Sequence, residues 1–258
     1  GSGDTIINGL ISNSAGTMGI TYAGTGSLTL GGANTYNGTT TLANGTIRLG
    51  SNEVIPDGAG KGNMVINPGA GVTATFDLNG RTETVNGLTA STNGTVFIDN
   101  SSATAAMLTF GANDTAVNFG TGAGTYSITD SGAGALSIVK VGTGIANIGG
   151  GTGATTLDYS GSTSVNGGIL NIASALTGTT GISVAGGATL NLFNGLADNL
   201  SALTALNLGS GAGTTTLGLN LGTSTAASDR LGIGGAAVTA NTIQFDIVAL
   251  AGFGTSLT

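Results

Sequence analysis

The sequence predicts an all-β solenoid, a parallel β-helix wound as one elongated domain over residues 1–258. Three observations lead there: short apolar–polar alternations fill the chain, glycine and asparagine punctuate them, and aromatics are scarce. Alternation sends successive side chains to opposite faces of a strand, so each run buries one face and leaves Thr, Asn or Ser on the other. SLTL (27–30), TIRL (46–49), NMVI (63–66), ATFDL (74–78), TVFI (95–98), MLTF (107–110), LSIVKV (136–141), ILNI (169–172), ATLNL (188–192), TLGLNL (216–221) and TIQFDIV (242–248) follow this rule in order. Between them NG, GG, GAG and DG elements supply the positive φ angles that tight turns need. A hairpin sandwich would carry larger core aromatics, whereas aromatics are 4% of this chain. Coils with Leu, Ile, Val and Ala inside, and hydroxyls and amides outside, account for the pattern, stacked about 4.8 Å apart. At roughly 20 residues per coil the chain would make about 13 coils and a rod of about 60 Å.

One stretch departs from the strand rhythm. In LFNGLADNLSALTAL (192–206), Leu196, Leu200 and Leu203 fall at i, i+4 and i+7, with Asn194 or Asp198 placed to cap an N-terminus. That spacing predicts a short helical flank near 194–205.

Composition narrows what such a rod can do. Glycine contributes 50 of 258 residues and proline two, without a G-X-Y period, which excludes collagen. Charged residues are 7% and hydrophobic ones 40%, the opposite of a disordered chain. The formal charge is −7, and the five bases Arg48, Lys61, Arg81, Lys140 and Arg230 are dispersed. No basic patch exists to displace phosphate counterions, so no nucleic-acid partner is expected, and anionic membrane surfaces would repel the chain. Leu231 to Phe253 is the most span-like segment, but Asn241, Gln244 and Asp246 near its middle are costly in hydrocarbon, so it reads as strands. Without cysteine, disulfides and thiolate chemistry are impossible, which fits export without an oxidative folding step.

The chain also repeats itself. TYNGTTTLANGTIRLG (35–50) aligns without gaps on DYSGSTSVNGGILNI (158–172), Tyr36 on Tyr159, Gly38 on Gly161, Thr40 on Thr163, Gly45 on Gly168, at an offset of 123 residues. The offset would be about six coils of the length above. Extended to 24–50 and 140–172, the two copies resemble the autotransporter-associated β-strand repeat, also called the passenger-associated transport repeat. That pattern is roughly K-x-G-x-G-x-L-x-L-x-G-x-N-x-Y-x-G-x-T-x-[VL]-x-x-G-x-L-x-[VL]. The second copy keeps its lysine as Lys140, where the first has Tyr22, and carries five extra residues between Ile148 and Tyr159. The phrases at 66–89, 106–114, 184–192 and 228–238 are similar to text that surrounds such repeats. The resemblance implies a right-handed β-helix that is secreted or displayed on the bacterial surface, within a large adhesin-like protein. The tail FDIVALAGFGTSLT lacks the strand series of a translocator barrel, so a segment of a larger polypeptide, or a protein exported another way, is expected.

Chemistry finds little purchase. Twelve acids are scattered without a D-D or D-x-D cluster. Asp77/Asp99 and Asp99/Asp114 lie at coil spacing and are the pairs a glycosidase would have to use; the competing reading is turn acids that keep a low-charge surface soluble. Histidine is absent, and neither GxGxxG, a P-loop nor the calcium nonapeptide occurs, so no catalytic, cofactor or metal residue is assigned. Rows of Thr and Asn read first as ladders between coils and second as a surface for glycans, and Tyr36 and Tyr159 read as corner packing. Solenoid ends are open edges that recruit strands. Thr5, Ile6 and Ile7 near one end, and Ile243, Phe245 and Ile247 near the other, are therefore the expected self-association residues. The sequence reads as a structural and adhesive surface solenoid, with a carbohydrate-active β-helix enzyme and a passive stalk displaying another module as alternatives.

Overall fold

In a computed structural model the described backbone comprises residues 1–115, 117–194, 199–221, 228–233, 237–239 and 242–249. Every sheet pairing in it is parallel, and strands pair with strands one turn away in sequence rather than with their neighbours. The chain thus winds as a β-solenoid with three faces. Face 1 has seven strands, from Thr5–Ile7 to Thr155–Leu157; face 2 has seven, from Thr82–Val85 to Ala237–Thr239; face 3 has ten, from Ile20–Tyr22 to Ile243–Ala249. The path runs from face 1 to face 2 to face 3. In the upper coils a separate pair, Asn199–Leu203 with Arg230–Ile233, takes the place of face 1 in chain order.

Face 3 sets the scale. One outward column rises through Thr21, Thr41, Val65, Thr89, Asn118, Asn147, Asn171, Asn191, Gly218 and Asp246 in unbroken register. Its ends are 225 residues and nine steps apart, or 25 residues per coil. At about 4.8 Å per step the ten rungs extend about 43 Å. The expectation of about 13 coils is corrected because the mean of 25 residues per coil exceeds the roughly 20 residues assumed, and coil length is irregular: 19 residues separate Leu28 from Ile47, whereas 30 separate Val96 from Tyr126. The surplus residues sit at corners, where they cost the ladder nothing.

The same irregularity places the two repeat copies on different faces. In the first copy Thr40–Leu42 lies in face 3 and Gly45–Leu49 in face 1; in the second Ser162–Val165 lies in face 2 and Ile169–Ala173 in face 3. The offset is therefore four full coils and two faces, not six coils. Local geometry is nevertheless kept. The hydroxyls of Tyr36 and Thr40 are 2.6 Å apart, those of Tyr159 and Thr163 2.7 Å, and both rings are buried. Gly45 and Gly168 turn the corner at φ 67° and 63°, a conformation a side chain disfavours. The repeat encodes one corner with its flanking strands, independent of the face it joins.

The copies differ at the lysine position. Lys140 lies in an inward column between Phe110 and Val165, its stem buried and its Nζ donating to the carbonyls of Val141, Gly142 and Gly167 at 2.6, 3.1 and 3.2 Å. Burial pulls its pKa below the ordinary lysine value. Tyr22, at the equivalent place in the first copy, buries a hydroxyl that has no hydrogen-bond partner among the described residues. Tyr22→Phe is therefore expected to be neutral or to stabilise by up to about 1 kcal/mol, while Tyr159→Phe, which breaks a buried bond, costs about 1 kcal/mol. Thermal unfolding of both variants checks the opposite signs.

The interior is wider than small aliphatics require. Tyr36, Tyr126, Tyr159, Phe76, Phe110 and Phe119 are fully buried, and Phe119 meets Tyr126 edge-on at 5.7 Å. The helical flank expected near 194–205 is corrected: Asn199–Leu203 is a strand, while Leu196 and Asp198 lie outside the described residues. Leu200 and Leu203 both face inward, though a spacing of three should oppose them in a strand. A register shift between them in the pairing with Arg230–Ile233 restores the common face.

Candidate functional surface

The outward column of face 3 changes character half-way along. Hydroxyls give way to an amide ladder in which Asn147 Nδ2 donates to Asn118 Oδ1 at 3.1 Å, Asn171 to Asn147 at 2.9 Å and Asn191 to Asn171 at 2.9 Å. Asn147 and Asn171 each spend one donor and one acceptor along the stack, while Asn118 only accepts and Asn191 only donates, and the remaining polar capacity is left for solvent. Exposed Ile145 (47%) stands beside Asn147 on the same strand face. Asn147→Ala removes two of the three bonds and is expected to cost about 1 kcal/mol, read from the unfolding midpoint.

Acids at the corner after face 1 form a second repeated device. Asp77 accepts from Ser101 Oγ at 2.7 Å and from its N–H at 3.2 Å. Asp99 does the same with Ser131 at 2.6 and 2.9 Å, and Asp130 with Ser160 at 2.6 and 2.8 Å. Each carboxylate thus staples its coil to the next. Asp77 also receives Arg48 Nε at 2.8 Å. The pair Asp77/Asp99 is brought into register on adjacent rungs, but both carboxylates are already held by serines. Asp99 and Asp114 are not brought together: Asp99 ends a face 1 strand, whereas Asp114 lies in the turn before face 3. There it accepts from the N–H of Thr143, which holds its carboxyl below the usual range.

Sequence reasoning missed Glu83. It sits in the lowest strand of face 2, in the inward column of Leu108, fully buried. Its oxygens accept from the N–H groups of Val54 at 3.0 Å and Ile55 at 2.8 Å. The coil below has no face 2 strand, so a carboxyl supplies acceptors that a ladder would have provided. Burial pushes its pKa up to about 8, with Glu53 and Asp57 adding to the rise. The available signal was parity: in TETV, Glu83 shares the inward side with Val85. Burial likewise raises Tyr36 to about 12 and pushes Tyr159 up further. Tyr36 and Tyr159 are corner packing residues with no face open for a sugar.

The six expected self-association residues lie at opposite ends and on different faces. Thr5, Ile6 and Ile7 form the first rung of face 1, with Thr5 and Ile7 over Leu28 and Leu30 and Ile6 on the outer side with 66% exposure. Ile243, Phe245 and Ile247 form the last rung of face 3, over Thr215, Leu217 and Leu219. Phe245 and Ile247 are 51% and 61% exposed although they continue inward columns. Among the described residues no group of three His, Cys, Asp or Glu side chains is placed to hold a metal, and no helix is long and apolar enough to cross a membrane.

No family model and no solved structure matches this chain. Over 86 residues, 33% of its length, it is 38% identical to the Adhesin BmaC autotransporter of Brucella suis biovar 1 (strain 1330). The match spans 2% of that adhesin, so the chain corresponds to a small part of the relative it resembles.

Proposed function

We propose that the chain is an adhesive, passenger-type β-solenoid exposed on a bacterial surface. The observation that carries this reading is the amide ladder of Asn118, Asn147, Asn171 and Asn191, set outward on the face that runs through all ten rungs. Partial similarity to an autotransporter adhesin supports it. Repeated neutral donors and acceptors suit an extended, hydrogen-bonding partner such as a surface glycan, bound weakly at many points rather than in a pocket. The test is adhesion of bacteria displaying the chain to host-cell monolayers and to glycan arrays. Saturable binding that weakens in an Asn147→Ala/Asn171→Ala double variant is expected, with no release of sugar and no effect of Asp99→Asn. Adhesion equal to that of cells displaying an unrelated solenoid would overturn the reading in favour of a passive stalk, and sugar release abolished by Asp99→Asn would favour an enzyme.

A second reading, compatible with the first, is self-association end to end. Exposed Phe245 and Ile247 support it, since they continue buried columns that a second copy would extend. The strand to meet Ile243–Ala249 in face 3 would be Ile20–Tyr22 of that copy, because Thr5–Ile7 belongs to face 1. Electron microscopy is expected to show fibres that Phe245→Asp disperses; dispersed particles of the unaltered chain at high concentration would refute it.

A further inference from the structure

The chain contains eight Asn-Gly dipeptides, beginning at Asn8, Asn37, Asn44, Asn79, Asn86, Asn93, Asn166 and Asn194. Asparagine before glycine can modify itself. The glycine amide nitrogen, having lost its proton, attacks the asparagine Cγ; a C–N bond forms, the bond to Nδ2 breaks, and the nitrogen leaves as ammonia. Water then opens the succinimide. Attack at the side-chain carbonyl gives aspartate, and attack at the main-chain carbonyl gives isoaspartate, in which the backbone runs through Cβ. The net reaction consumes one water and releases one ammonia. It requires Cγ to swing over the following nitrogen, so any hydrogen bond that fixes the carboxamide opposes it.

The fold sorts these sites. Asn37 Oδ1 accepts from Met18 N at 3.0 Å while its Nδ2 donates to Gly16 O at 3.1 Å. Asn44 Oδ1 accepts from the N–H of its own Gly45 at 2.8 Å, which turns the oxygen, not Cγ, toward that nitrogen. Asn79 Nδ2 donates to Leu49 O at 2.9 Å. Asn86 is held three times, by Gly58 N at 2.8 Å, Gly58 O at 2.9 Å and Lys61 O at 3.0 Å. Asn194 is held by Ser174 O and Asn220, and its glycine lies outside the described residues. By contrast Asn8, Asn93 and Asn166 are exposed, and their carboxamides make no hydrogen bond among the described residues. Among the described residues the N–H of Gly94 donates only to Thr92 Oγ1, at 3.5 Å.

We propose that Asn8, Asn93 and Asn166 are sites of spontaneous succinimide formation, converting to aspartate and isoaspartate in the folded solenoid while the hydrogen-bonded asparagines stay intact. Asn93 has the largest consequence. A Cβ on Gly94 would lie 2.6 Å from Gly69 O, so the coil below already presses on this corner. An extra backbone carbon immediately before it displaces the rung it introduces, Thr95–Asp99.

The test is peptide mapping by mass spectrometry after incubating the folded chain at mildly alkaline pH, with isoaspartate labelled by an isoaspartyl methyltransferase. One or two hydrogen bonds correspond to about a tenfold difference in rate. Asn8, Asn93 and Asn166 are expected to convert at least about tenfold faster than Asn37, Asn44, Asn79 and Asn86, and the difference is expected to vanish in guanidinium, where every carboxamide is free. Asn93→Gln is expected to abolish the product at that position and leave Asn8 and Asn166 unchanged. Equal rates across the seven sites in the folded chain, faster loss at the held sites, or no conversion at Asn8, Asn93 and Asn166 would overturn the proposal.

Discussion

As pH rises from 4.5 to 8, the solenoid is expected to lose stability through one buried carboxyl, Glu83, whose pKa is raised from 4.5 to about 8. Below 4.5 the group is protonated in both folded and unfolded chains, and its contribution is fully present. Above that value the unfolded chain releases the proton and the folded one retains it, so stability falls by about 1.4 kcal/mol per pH unit until the folded group also ionises. The integrated loss is on the order of 5 kcal/mol. The window is clean because the chain has neither histidine nor cysteine, so no other side-chain type has its ordinary value there. Glu83→Gln cannot ionise, but it sets an amide NH₂ against one of the two N–H donors of Val54 and Ile55. It is expected to be less stable than the unaltered chain at acid pH by about 1–3 kcal/mol and to show a flat pH profile, so that the two curves cross. Denaturant unfolding across the window measures both; parallel curves would show that the carboxyl is not the source.

Gly153→Ala is expected to destabilise the solenoid by about 3 kcal/mol or more, while Gly69→Ala is neutral within about 0.5 kcal/mol. Both glycines sit in turns leading into face 1, before Thr155–Leu157 and Thr73–Asp77. A Cβ at Gly153 would stand 1.7 Å from Gly124 O, and one at Gly124 2.1 Å from Gly94 O, whereas a Cβ at Gly69 meets nothing within 4 Å. The requirement comes from the stacked backbone and not from the glycine's own torsion angles. Hydrogen exchange of Tyr126–Ile128, which pairs with Thr155–Leu157, localises the damage. Equal melting temperatures for the two variants would contradict this account.

Of the candidate surface, the outward Thr and Asn rows and the corner role of Tyr36 and Tyr159 were legible, because a strand's alternation and a recurring corner are written locally. The parity of Asp77 is outward, yet Arg48 beneath and Ser101 above bury it. Glu83 and Lys140 carry inward parity, yet charge alone argued for solvent; each is tolerated because backbone groups from a neighbouring coil meet its polar atoms. The spacing of Leu200 and Leu203 imitated a helix because a register shift in a strand moves a side chain to the face a helical turn would give it.

The sequence by itself determined that this chain is all-β and wound in parallel coils, since period-two apolar runs, glycine corners and a scarcity of charge are properties of neighbouring residues. Tertiary structure alone decided how long each coil is, which face each repeat copy joins, and which acids are buried, stapled or exposed. Those outcomes depend on what lies one coil away, 19 to 31 residues along the chain. Stacking register is a non-local quantity: an inserted corner residue leaves every strand's pattern unchanged while moving all later residues relative to the coil below.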